Sequence, residues 1–123
     1  MHMLVIERSV GNAVLATVSG RIDISNAGAF GESLSAALAN ANSALILDLS
    51  GVDYISSAGL RSLVIALKSS QAQGKAFGLA ALQPLLLDIF AVSRFNIVFQ
   101  LFSTVREAFS KLAPFALEEL DRR

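Results

Sequence analysis

Two carboxylates, Asp48 and Asp53, and two adjacent serines, Ser56 and Ser57, crowd into one short stretch, with Ser50 and Tyr54 between them. Paired carboxylates can exchange protons with a substrate. Here they flank a turn, where aspartate also serves to hold the backbone. No histidine or cysteine stands nearby to complete a nucleophile system. The only histidine is His2, at the terminus, and there is no cysteine. A histidine-based triad, thiol chemistry, a disulfide, a metal site and a cofactor are therefore not expected. Nor is there a P-loop or Gly-x-Gly-x-x-Gly run to cradle a nucleotide. Serine is a favoured N-cap residue, its hydroxyl accepting from a free backbone N–H. On residue types alone this stretch is a capped helix start, and an enzyme is the weakest reading.

Hydrophobic spacing gives the elements that hold these serines. Leu45-Ile46-Leu47 suits a central parallel strand buried on both faces. Asp48, Ser50, Gly51 and Asp53 break that pattern and predict a loop. Leu60, Leu63, Val64 and Leu67 then recur at helical spacing and give one apolar face. Gly74 predicts the helix end. Arg61, Ile65 and Lys68 lie off that stripe, beside the serines, and form a candidate partner surface.

The run Asp53-Tyr54-Ile55-Ser56-Ser57-Ala58-Gly59-Leu60 resembles the phosphorylation loop of the STAS family, the bacterial anti-sigma factor antagonists. In that family the first serine after an acidic residue is phosphorylated by the anti-sigma factor, a protein kinase. Alignment on Gly59-Leu60 implies that this serine is Ser57, with Ser56 as the alternative. Ser56 stands where several members have aspartate, and Ala58 where they have Ser or Thr. An earlier Gly-x-Leu/Ile-Asp run of the family is matched by Gly20-Arg21-Ile22-Asp23. The resemblance therefore implies that Asp23 lies near the serine; read alone, Asp23 is a turn or capping residue. Asp23 and Asp48 are candidates to hold the loop or the serine hydroxyl. With Asp53, Ser56, Gly59, Arg61 and Ile65 they make up the expected loop and partner-binding set.

The chain has 123 residues, enough for a single domain, 1–123, with a real core. Hydrophobic residues make up 54% and charged residues 16%, more apolar than an average soluble domain. An alanine- and leucine-rich core and a surface facing a partner both account for that surplus, which also admits a homodimer. Ten basic and ten acidic residues balance to zero net charge, without the clustered Lys and Arg of a nucleic-acid footprint. The apolar stretches fall far short of the roughly 20 residues of a membrane span, and the N-terminus lacks a signal-peptide pattern. A cytoplasmic, bacterial protein without membrane insertion is expected.

In chain order, Met3 to Ile6 and Ala13 to Val18 are strands joined as a hairpin through Gly11-Asn12. Gly20 to Asp23 reads as a loop. Ser25 opens a helix whose buried face is Ala27, Phe30, Leu34, Ala37 and Leu38. The central strand follows, over Ala44 to Leu49. Ala76 to Ala80 is a further strand, with Gly78 marking close packing or a bulge. Pro84 starts a helix with Leu85, Leu86, Ile89 and Phe90 on its apolar face. Ser93 to Asn96 turns the chain, and Ile97 to Phe99 is expected as the last strand. Thr104 and Glu107 have capping-box spacing before Val105, Ala108, Phe109 and Leu112. Beyond Pro114 a frayed tail is expected, with Leu117 and Leu120 available for packing. Alternating strands and helices after a hairpin give an α/β domain. The resemblance, over about 4–112, implies the STAS fold: a small mixed, mostly parallel sheet of four to five strands with about four helices mainly on one face.

The function implied by the resemblance is partner switching. The dephosphorylated protein binds the anti-sigma factor serine kinase and frees a sigma factor. Phosphorylation of Ser57 releases it, and a serine phosphatase resets it. The alternative is a non-phosphorylated STAS subunit of a lipid-transport ATPase or a sensory complex. A binding domain for a nucleotide or small hydrophobic molecule is a third class, without a motif to support it.

Overall fold

The computed structural model describes residues 2–122. Met1 and Arg123, the ends of the expected domain, lie outside the described residues. Strand β1 (Leu4–Val10) pairs antiparallel with β2 (Ala13–Ile22). The connection is the expected Gly11-Asn12 turn, in which Gly11 has φ +59°, the left-handed region that glycine enters at no steric cost. Helix α1 (Ala27–Asn40), strand β3 (Ala44–Ile55), helix α2 (Ser57–Ala72) and strand β4 (Ala76–Ala80) follow. Next come helix α3 (Pro84–Val92), a short helix α4 (Phe95–Val98), strand β5 (Gln100–Phe102) and helix α5 (Val105–Leu112). A 3₁₀ turn over Pro114–Ala116 leads into α6 (Leu117–Asp121). The five strands lie in chain order, and all pairs after the first are parallel. This is the small mixed, mostly parallel sheet expected. No helix among the described residues is long and apolar enough to cross a membrane.

One face of the sheet carries the main core. Val14, Ala16 and Val18 of β2, Leu45, Leu47 and Leu49 of β3, and Phe77 and Leu79 of β4 meet α1, α2 and α3 there. Alternation puts their neighbours on the other face. The buried set of α1 is the one its spacing predicts: Ala27, Phe30, Leu34, Ala37 and Leu38. On α2, Leu60 and Leu63 are buried while Val64 and Leu67 pack at the margin. The α2 end is a Schellman motif: Lys75 N–H donates to Ser70 O at 2.9 Å and Gly74 N–H to Gln71 O at 3.2 Å, with Gly74 at φ +69°. Gly78 is a close-packing site: a Cβ there would stand 2.6 Å from Leu112 Cδ1.

Four expectations need correction. Residues 48–53 are not a loop but the second half of β3, and Gly20 to Ile22 complete β2. Between the pairs Thr17–Asp48 and Ser19–Gly51, β2 advances two residues and β3 three; between Gly20–Val52 and Arg21–Tyr54 the steps are one and two. These bulges absorb the polar residues without ending the strand. The segment Phe95–Val98 is helical, not a strand, and β5 begins at Gln100. Arg94, at φ +62°, takes the left-handed position that usually holds glycine and starts the chain into α4. That turn brings Phe95 and Phe99 onto Phe90, with ring centroids 6.5 and 5.9 Å from it. Leu85 is exposed, so α3 buries only Leu86 and Phe90.

The tail is the fourth correction. Ala113 and Ala116 join Val10, Ala13, Leu15, Ala44, Ile46, Ala80 and Phe109 in a second cluster on the other face of the sheet. Leu117 and Leu120 pack against it, and Arg106 pairs with Asp121 across the α5–α6 corner. The Thr104 cap holds as spaced, its Oγ1 accepting from Glu107 N–H at 3.0 Å; the return bond falls one residue before the capping-box position, Glu107 Oε1 accepting from Ser103 N–H at 2.8 Å. Phe109 is fully buried, the largest side chain of this cluster. Phe109→Ala is expected to cost about 3–5 kcal/mol in urea denaturation, against less than about 0.5 kcal/mol for the exposed Ile65→Ala.

Candidate functional site

The site forms where β2 and β3 end side by side. Ile22 pairs with Ile55, so Asp23 and Ser56 begin neighbouring segments. Adjacent strands lie about 4.8 Å apart. Ser56 N–H donates to Ile22 O at 2.9 Å, tying the start of α2 to the end of β2. Gly59 lets the helix settle there: a Cβ at Gly59 would stand 2.7 Å from Ile22 Cγ2 and 2.7 Å from Ile55 Cγ1. Gly59 is therefore buried and holds geometry; it presents no side chain to a partner. Ser62 Oγ donates to Ala27 O at 2.9 Å and fixes the same turn of α2 against α1.

The adjacent serines differ. Ser56 is the N-cap, extended at φ −86°, ψ 172°, and its Oγ accepts from Gly59 N–H at 3.2 Å. Ser57 is the first helical residue and is exposed. Ser57 and Arg61 stand on the rim of an open groove of about 530 Å³, with Leu60, Val64, Ser93 and Phe95 lining the rest. Ser93 and Phe95 fall in the turn expected over Ser93 to Asn96, but nothing in the sequence places that turn beside α2. Ile65, 60% exposed, sits farther along α2 over a narrow cleft toward Gly31 and Ser35 of α1.

The aspartates separate. Asp23 is close to the serines along the chain ends, but its carboxylate is used within its own turn. Its Oδ1 accepts from the Ser25 hydroxyl and, at 3.0 Å, from Ser25 N–H. Those bonds, with Arg21 Nε at 3.7 Å, hold the Asp23 carboxyl below the ordinary carboxylate range. Arg21 also stacks on Tyr54, 4.1 Å from the ring centroid. Asp48 lies in mid-β3, beside Thr17 and Ala80, and alternates with Leu47 and Leu49 toward the face away from α2. Its Oδ1 accepts from Ser50 N–H at 3.0 Å and braces the bulge, not the serines. Asp53 is exposed on the last stretch of β3. The structure thus gathers Asp23, Ser56, Ser57, Gly59 and Arg61 at one end of the sheet and leaves Asp48 apart. The different placement of the serines gives an ordered stability series. Ser56→Ala is expected to cost about 1 kcal/mol as a lost cap, Ser57→Ala less than about 0.5 kcal/mol, and Gly59→Ala about 1–3 kcal/mol by overpacking. Equal costs for the serine variants would sink the cap assignment.

Residues 5–108 match the family model described as the STAS domain. A protein of Bordetella bronchiseptica named as an anti-sigma factor antagonist, BtrV, is 33% identical over 91 residues, covering 73% of this chain and 78% of that protein. The crystal structure of an anti-sigma factor antagonist from Mycobacterium paratuberculosis superposes with a TM-score of 0.81 at 24% identity, over 90% of this chain and 94% of that one. The anti-sigma factor antagonist SpoIIAA in its unphosphorylated form gives a TM-score of 0.75 at 16% identity, over 90% and 97%. The phosphorylated form of SpoIIAA, a Bacillus cell fate determinant, gives 0.65 at 15%, over 89% and 98%. At these identities the solved structures speak for the fold, and the family model with the Bordetella relative speaks for descent. This chain belongs to the STAS domain family.

Proposed function

We propose that this protein is an anti-sigma factor antagonist of the partner-switching kind, with Ser57 as its phosphoacceptor. Unmodified, it binds an anti-sigma factor serine kinase in the cytoplasm and so frees a sigma factor. The kinase transfers the γ-phosphoryl group of ATP to the Ser57 hydroxyl, releasing ADP and a proton, and the modified protein lets go. A serine phosphatase returns it to the binding form. The chemistry belongs to the partners; this chain is substrate and binding module.

The observation that carries this reading is the contrast between the serines. Ser56 spends its hydroxyl on the helix cap, while Ser57 is exposed at the first turn of a 16-residue helix, beside an open groove. A phosphate there adds roughly −1.5 to −2 charge at pH 7. The helix dipole tolerates negative charge at this end, so the cost falls on the interface and not on the fold. A loss of about 3 kcal/mol at that interface weakens binding more than a hundredfold. The anti-sigma factor antagonist names of the relatives agree with this role.

Incubation with ATP and the anti-sigma factor kinase of the same host tests it. Wild type and Ser56→Ala are expected to take one phosphate, located by peptide mapping at Ser57, and Ser57→Ala none. Labelling of Ser57→Ala at Ser56 would move the site. No phosphate on any of the proteins, with copurification of an ATPase, would favour the non-phosphorylated subunit of a lipid-transport or sensory complex instead.

A further inference from the structure

A phosphate on Ser57 acts at the interface directly, and more strongly where a neighbouring group registers its charge. The groove beside Ser57 supplies one. Its floor is apolar, made by Leu60 and Val64 of α2 and by Phe95. Phe95 is fixed from behind by ring contacts with Phe90 and Phe99, at 6.5 and 6.0 Å. Arg61 stands on the rim, four residues after Ser57 on the same helix. Side chains at that spacing are neighbours, about 5–6 Å apart at Cβ. Arg61 is exposed, and among the described residues it forms no salt bridge. Arg21, at the end of β2, is by contrast committed to Asp23 and to the Tyr54 ring. A free guanidinium on the edge of an apolar groove fits a segment with an apolar side chain next to a carboxylate. Val92, 85% exposed on α3, lines a shallow cleft with Asp88 and Ile89 that adjoins the groove at Ser93.

We propose that Arg61 is the residue through which the state of Ser57 is read. This rests on Ser57 being the phosphoacceptor. In the unmodified protein, the Arg61 guanidinium pairs with a carboxylate of the partner, whose adjoining apolar side chain seats over Leu60, Val64 and Phe95. A phosphate on Ser57 takes the same guanidinium, because it offers more charge and more acceptor oxygens than a carboxylate. The partner carboxylate then faces the net negative charge left on the phosphate–guanidinium pair where it had faced a cation. Release follows from one competition at one side chain, without a change in the backbone. Arg61 is on this view a positioning residue for the phosphate and a contact residue for the partner.

The protein with phosphoserine installed at position 57 by genetic encoding tests the first half without any kinase. Phosphorus NMR titration is expected to give a second phosphate ionisation lower by about 0.5 pH unit or more than in the same protein carrying Arg61→Gln. Arg61→Lys is expected to restore part of the difference, and Lys111→Gln, on the other face of the sheet, to leave it unchanged. Identical titrations with and without Arg61 would overturn the proposal. For the second half, calorimetry with the host's anti-sigma factor is expected to show that Arg61→Gln weakens the unmodified protein at least tenfold and flattens its salt dependence. Equal affinities overturn the carboxylate contact. If the unmodified wild type binds no anti-sigma factor, the partner-switching reading and the carboxylate contact fall together, while the phosphate titration still decides whether Arg61 receives the phosphate.

Discussion

The contact of Gly59 with Ile22 and Ile55 sets the geometry of the whole site. The side chains of two neighbouring strand ends reach up against a helix turn that has no room for a Cβ. Once the helix is seated, the other groups follow. Ser56 is left one residue before the first turn, extended, with its N–H on Ile22 O and its hydroxyl on Gly59 N–H. Ser57 comes next and has only one direction left, outward. Ser62, one turn on, is held by Ala27 O, so α1 and α2 are locked together at the same level. The site is thus a consequence of close packing between strand ends and helix, not of a flexible loop.

Much of this was legible in the sequence, and what was not has physical causes. The buried faces of α1 and α2 could be read because apolar residues recur there at helical spacing and nothing competes with that signal. The span of β4 and the Gly74 helix end were equally plain. The polar run through Asp48, Ser50, Gly51 and Asp53 misled, because a strand that carries bulges spends its irregular residues inside the ladder. Asp48 looked like a site residue for the same reason: its carboxylate braces the bulge through Ser50 N–H. A turn over Ser93 to Asn96 was legible, but the left-handed Arg94 that sends it into the helical turn α4 gives no sequence warning. Missing α4 displaced β5 and hid the role of Phe95 and Ser93 in the groove. Ser56 and Ser57 could not be told apart by residue type; only the dihedrals and the Gly59 N–H bond separate them.

The apolar excess of the composition divides in the structure. Part of it fills a second core, where Phe109, Ala113 and Ala116 cover the β-face away from α2. A parallel strand needs both faces covered, and the tail meets that need over Leu15, Ile46 and Ala80. The tail is therefore structural material, removed from the Ser57 end of α2 by the thickness of the sheet. Other apolar residues stay on the surface, and Ile65, Val92 and Ile97 among them lie on α2, α3 and α4, the helices that carry or border the groove.

A packed site of this kind limits how a modification can be transmitted. The start of α2 is pinned by backbone bonds to β2, by a cap and by a glycine contact, so rearranging it would break several interactions at once. The exposed Ser57 hydroxyl shares none of those constraints. A charge added there leaves the pins intact, and what changes is the electrostatic character of a surface whose shape stays the same. On a rigid surface, binding is switched by the charge added and by what the neighbouring exposed groups then pair with. Of the groups on the groove rim, Arg61 is the one whose pairing a phosphate on Ser57 can alter, because helix periodicity holds the two side chains as neighbours and no acidic group among the described residues already claims it.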